Sequence, residues 1–269
     1  MIRRVTNRHG RLSAALGAAL ALVAFGAQAQ IGGTGSGAPI EIEADQGIEW
    51  LRGEQRYIAR GNAVARQAGV EVHADTLVAH YAAGADGSGG QAISRLDANG
   101  SVRIVSEQET VFGDQGVYHA DGQVAVVVGK DLRMVGPRAV IHAKDQMEYW
   151  QGRQLAVARG DATVTEGENR LRADVLTAYI TDTGADRGVS RIDAIGNIIV
   201  STPTEIVRGR EGVYDVKARK ATICGAVKIT RGNNQLNGEC AEVNMTTGRS
   251  KLLGRVKGLI LPGTQGQAQ

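Results

Sequence analysis

Large aromatic residues are scarce in this chain: two phenylalanines, two tryptophans and six tyrosines among 269 residues. A closed core of that length normally recruits aromatics for the area they bury, so the interior here must be built mainly from aliphatic side chains. Proline is just as sparse, at four. Beyond the first thirty residues no window keeps a helical period, which excludes helix-containing repeats such as the leucine-rich type. Catalytic signatures are also missing. There is no G-x-S-x-G and no phosphate-binding loop. His73, His80, His119 and His142 fall on separate predicted strands without ligand spacing, so no metal site and no cofactor is expected, and the chain does not read as an enzyme.

Acid is absent from the N-terminus, where Arg3, Arg4, Arg8 and Arg11 precede an apolar run from Ala14 to Phe25 and then Ala27-Gln28-Ala29. That is the pattern of a secretory signal peptide over residues 1–29. Its apolar run is shorter than the roughly 20 residues of a spanning helix. The excess of basic residues belongs to this leader: without its four arginines the chain is close to neutral, which removes any argument for nucleic-acid binding. Residues 30–39 read as a flexible Gly/Ser-rich tether, and residues 262–269 as a disordered tail. Between them, 40–261 reads as one elongated β domain, since no linker breaks the rhythm.

Glycine and strand alternation are plentiful. From Ile40 to Tyr81 the chain alternates apolar and polar residues, as in Ile42, Ala44 against Glu41, Glu43, and that period of two marks strands with one apolar face. Residues 139–180 repeat this stretch with an offset of 99: Ala59-Arg60-Gly61-Asn62-Ala63 returns as Ala158-Arg159-Gly160-Asp161-Ala162. A second unit, Ile93–Gly129, returns at Val189–Gly225 with an offset of 96, carrying Gly116-Val117-Tyr118 onto Gly212-Val213-Tyr214. Under both runs a beat of glycine followed by a strand, at Gly61, Gly100, Gly129, Gly160, Gly196, Gly225 and Gly254. The chain is therefore expected to be all-β, a stack of similar layers none of which can bury its apolar face alone.

The inward set expected from the alternation is Ile42, Ala44, Val72, Ala74, Leu77, Ala79, Val102, Ile104, Val126, Val128, Leu132, Met134, Ile141, Ala143, Leu171, Ala173, Leu176, Ala178, Ile198 and Val200, continued by Val227 and Ile229. Two interiors fit that set. One is an ordinary packed core, which pattern and composition favour. The other is a smooth apolar trough, suited to acyl chains whose methylenes each gain about 0.8 kcal/mol on leaving water. Asp45, Asp75, Asp97, Asp174 and Asp193 are expected at strand ends as turn caps, and Arg60, Arg95, Arg159 and Arg191 as cover for the outer face. Cys224 and Cys240 form a candidate disulfide, with two small buried thiols as the alternative.

These residues resemble the OstA-like/LptA family of periplasmic lipopolysaccharide transport proteins. Ile42-Glu43-Ala44-Asp45, Gly61-Asn62-Ala63-Val64 and His73-Ala74-Asp75 carry the likeness in the first copy. Arg159-Gly160-Asp161-Ala162, Arg172-Ala173-Asp174 and Gly196-Asn197-Ile198-Ile199-Val200 carry it later. Lys144 departs from it, standing where the first copy has Asp45, and the layers from Thr222 to Leu261 exceed a compact member. The resemblance implies an elongated antiparallel β-jellyroll of stacked V-shaped layers, open at both ends. Lipid A acyl chains would lie in its groove, lined by the inward set above. It also implies a head-to-tail homo-oligomer and edge-strand pairing with an LptC-like inner-membrane partner and an LptD-like outer-membrane partner. A β-solenoid scaffold or adhesin binding protein or polysaccharide is the alternative, and an enzyme acting on polysaccharide ranks behind it.

Overall fold

The computed structural model describes residues 40–83, 91–181, 188–244, 246–247 and 249–260. The expected leader, the tether, most of the two polar excursions near 82–90 and 181–188, and the tail lie outside them. Among the described residues the chain is an antiparallel meander of fourteen rungs. Ten are continuous strands. The other four are broken at mid-length: Glu41–Glu43 with Ile48–Leu51, Val124–Val128 with Arg133–Val135, Val140–His142 with Gln146–Trp150, and Arg249–Leu253 with Lys257–Leu259. Each rung hydrogen-bonds to the next in sequence, and the first and last do not pair with each other. No α-helix occurs among the described residues, and no helix is long and apolar enough to cross a membrane.

Every rung changes direction halfway, where the pairing register slips, as between Arg60 and Ala63 or between Ile195 and Ile198. The seven glycines of the sequence beat stand on this line, one on each even-numbered rung. Gly196 shows why. Its φ is +76°, in the left-handed region that glycine alone enters freely, and a Cβ there would collide with the Asp174 carboxylate of the preceding rung. Asn197, also left-handed at φ +45°, donates from Nδ2 to both oxygens of that carboxylate at 3.1 and 2.9 Å. Asp75 folds over Gly100 in the same way. Asp75 and Asp174 therefore sit at the bend and not at strand ends as expected. Asp97 and Asp193 are also mid-strand, where they accept from Arg95 Nε at 2.8 Å and Arg191 Nε at 2.6 Å.

The bend divides each rung into two arms, and the inner faces of the arms meet. Ala59, Leu77 and Ala98 from one arm pack in a single cluster with Ala65, Val72 and Val102 from the other. A longer cluster continues from Val127 to Val243. The fold is thus an elongated antiparallel jellyroll of V-shaped layers. The two sequence copies are six-rung units, the first from rung one to rung six and the second from rung seven to rung twelve, with two further rungs at the C-terminal end.

Cys224 and Cys240 are direct neighbours in the pairing of the strands Lys220–Arg231 and Asn234–Asn244, and they are joined by a disulfide. It crosses the outer face beside the bend and ties the second repeat to the extra rungs. Closing a loop of this size removes about 3 kcal/mol of chain entropy from the unfolded state. Cys224→Ser with Cys240→Ser is therefore expected to lower the urea unfolding free energy by about 2–3 kcal/mol, an effect that reduction of the wild-type chain should reproduce.

At one arm tip, Glu109 closes the turn after the strand Gln91–Val105; the Ser106 N–H donates to its carbonyl at 2.9 Å. Burial of its side chain pushes the carboxyl up to about 7. The folded chain thus holds this proton where the unfolded chain has released it, and stability falls as pH rises from about 4.5 through 7. Glu109→Gln should abolish that fall and stabilise the protein at pH 8 by about 2–3 kcal/mol, since each pK unit is worth about 1.4 kcal/mol. Denaturation series between pH 5 and pH 8 would measure it.

Candidate functional site: the seam between the arms

Cross-strand pairing strings the inward residues into rows along the stack. One runs from Ile48 and Ala59 through Leu77, Ala98, Gly116, Val127, Met147, Ala158, Leu176, Ala194, Gly212, Ile223 and Ala241 to Leu252 without a polar side chain. It explains a correction. Val126 and Val128, expected to line the interior, turn outward and are half-buried, while Val127 between them is 4% exposed in the core. Five consecutive apolar residues, Val124 to Val128, leave the face undecided. The register settles it, placing Val127 between Gly116 and Met147.

The other twenty residues of the expected inward set turn inward. Ile42, Ala44, Ile104 and Ile229 are half-buried against the core clusters, and the rest are buried, Leu77, Val102, Leu132, Ile198 and Val200 at 1% exposure each. The arms are therefore closed on each other along the described length. At the N-terminal end a cavity of about 10 Å³ lies between the arms, lined by Ile40, Ile42, Ala65, Val70, Val72 and Leu96 among others. The interior is a packed seam in this state and not an empty trough.

Sequence reading missed an aromatic row. A second inner row on one arm contains the adjacent pair Trp50 and Tyr57 and then Tyr118, Tyr149 and Tyr214, these separated by smaller residues, mostly Ala. Trp50 stacks on Tyr57 with ring centroids 5.5 Å apart, and its Nε1–H donates to the Tyr81 hydroxyl at 2.9 Å. The signal was present in the repeated Gly-Val-Tyr, but composition drew attention to the few aromatics and not to their shared row. Trp50 is the most open of the five at 44% exposure, whereas Tyr118 and Tyr214 are buried, which raises the pKa of both phenols.

Most charge stays on the outer faces. Glu148, 6% exposed, faces outward beside Val126 and Val157. Burial alone would raise its pKa, but donors from Arg159, Trp150 at 2.7 Å and Gln146 at 2.7 Å hold it below the ordinary value. Arg60, Arg95, Arg159 and Arg191 are all exposed and pair with Glu49, Asp97, Glu148 and Asp193. They cover the outer face and do not reach the seam. No group of three or more His, Cys, Asp or Glu among the described residues could hold a metal ion.

Among the described residues both ends of the stack are unpaired edges with exposed apolar side chains. Ile48 and Trp50 on the first rung are 49% and 44% exposed; Val256, Leu259 and Ile260 at the last are 48%, 59% and 71%. An uncovered edge of this kind is a template for another strand.

Comparison with known proteins now adds to this geometry. Residues 140–249 match the family described as LptA/(LptD N-terminal domain) LPS transport protein. Among solved structures, the chain is similar to LptH, the LptA-homologous periplasmic component of the lipopolysaccharide transport device from Pseudomonas aeruginosa. The identity is 17%, the TM-score 0.40, and the alignment covers 46% of this chain and 95% of that one. No curated protein matches by sequence.

Proposed function

We propose that this chain carries lipopolysaccharide through the periplasm, a reading supported by the match of residues 140–249 to the LptA/(LptD N-terminal domain) LPS transport family. Lipid A acyl chains occupy the seam once the arms separate, and edge-strand pairing at the two ends links the chain into a bridge between inner and outer membrane. The observation that carries this reading is the inner face itself: a row of apolar residues that runs from Ile48 on the first rung to Leu252 on the last without a polar side chain. Apolar area exposed by opening, at about 25 cal/mol per Å², is covered again by acyl chain.

In this reading the signal peptide delivers the chain to the periplasm, the two open ends meet further copies or LptC-like and LptD-like partners, and the energy for movement comes from elsewhere. The chain binds and conducts and catalyses no reaction. The tight packing of the seam favours a second reading, a β scaffold that binds protein or polysaccharide on its outer surface. Photo-crosslinking from alternate residues of one strand separates the two: only a carrier captures lipopolysaccharide from inner positions.

A further inference from the structure

We propose that the joint between copies is electrostatically coded, the last rung of one copy recognising the first rung of the next through opposite charges in a set register. This rests on the edge-pairing reading above and names the residues that would give the joint its polarity. The first rung, residues 41–51, carries Glu41, Glu43, Asp45 and Glu49 and no base. The last, residues 249–259, carries Arg249, Lys251, Arg255 and Lys257 and no acid. All eight are exposed. The side chains of Arg249, Lys251 and Lys257 have no ion-pair partner among the described residues. Glu43 and Glu49 have only Arg66 at 2.8 Å and Arg60 at 3.6 Å, both on the second rung.

The register makes the match specific. On the outer face of one arm, a single cross-strand row starts at Glu43, passes Val64 and His73, and ends at Asn237 and Lys257. On the other arm a row starts at Glu49 and Ile58 and ends at Glu242 and Lys251. The rung number is even, so the first rung of a second copy arrives antiparallel to the last rung of the first and continues the meander. Extending the rows by one rung sets Lys257 opposite Glu43 and Lys251 opposite Glu49 of the next copy. On the inner face the same step sets Leu252 opposite the exposed Ile48. First rung against first rung, or last against last, juxtaposes only like charges, which disfavours both wrong polarities.

The experiment uses the mature full chain and two charge-reversed variants, with association read by sedimentation velocity in 50 and 500 mM salt. Lys251→Glu with Lys257→Glu leaves both ends acidic; Glu43→Lys with Glu49→Lys leaves both ends basic. Each variant alone is expected to self-associate roughly ten- to a hundredfold more weakly than wild type, and an equimolar mixture should assemble like wild type. Raising the salt should weaken the wild-type joint. Circular dichroism and melting curves establish that the variants are folded; should the lysine-for-glutamate pair unfold its edge, Glu43→Gln with Glu49→Gln replaces it, and loss of wild-type affinity is then the expected result. If wild type associates and the reversed variants associate equally well, or the mixture fails to recover, the code is overturned while edge pairing stands. If wild type does not self-associate at either salt, edge pairing between copies fails and this inference with it.

Discussion

Photo-crosslinking residues placed at Ile104 and Ile229 are expected to capture lipopolysaccharide in cells, whereas the same residue at Val105 or Lys228 is not. Ile104 and Ile229 are half-buried and pack against the two clusters of the seam, so a larger side chain is tolerated there better than at Leu77 or Ile198. Their chain neighbours point to the opposite face, because side chains alternate along a strand. The comparison therefore holds depth along the stack constant and changes only the face. The expected effect is nearly all-or-none: an adduct at inner positions and background at outer ones. Equal labelling of both faces, or labelling of neither, would sink the carrier reading and leave the outer-surface scaffold.

The second large effect concerns the bend. Gly196→Val is expected to destabilise the fold by about 3–5 kcal/mol, combining a β-branched residue at positive φ with overpacking against a fixed neighbour. The Asp174 carboxylate that the new side chain would meet is held by Asn197 and cannot swing away without losing both hydrogen bonds. Two controls separate the contributions. Gly69 has a similar φ of +81° but open space around it, so Gly69→Ala reports the backbone strain alone, about 1 kcal/mol. Removing the obstacle with Asp174→Ala should make the cost of Gly196→Ala smaller than in the wild-type background, a non-additive pair in a double-mutant cycle. Additive costs would mean that Asp174 does not brace the bend.

Much of this architecture can be read from the residues. The period of two assigns strands, and the repeat offsets of 99 and 96 correspond to one six-rung unit laid on another. The glycine beat marks the bend line because six of the seven have a left-handed backbone, and a Cβ on the seventh, Gly129, would run into the Asp114 backbone. Three things escaped that reading, each for a physical reason. The run Val124–Val128 has no polar residue to mark its outer face, so only pairing with Gly116 and Met147 decides that Val127 points inward. Asp75 and Asp174 look like turn caps because a sharp bend in mid-strand and a turn at a strand end use the same residues. Tyr57, Tyr118, Tyr149 and Tyr214 are far apart in sequence and share a row only once the strands are in register.

By itself the sequence determined the class of fold, the repeat, and the inward-facing aliphatic set apart from one pair of valines, since all of these depend on local alternation and composition. Tertiary structure alone decided that the two arms close on each other, that the cysteines stand side by side as a disulfide, and that Lys251 and Lys257 share rows with Glu49 and Glu43. Those outcomes depend on which strand lies beside which, and cross-strand register is a property of the assembled sheet.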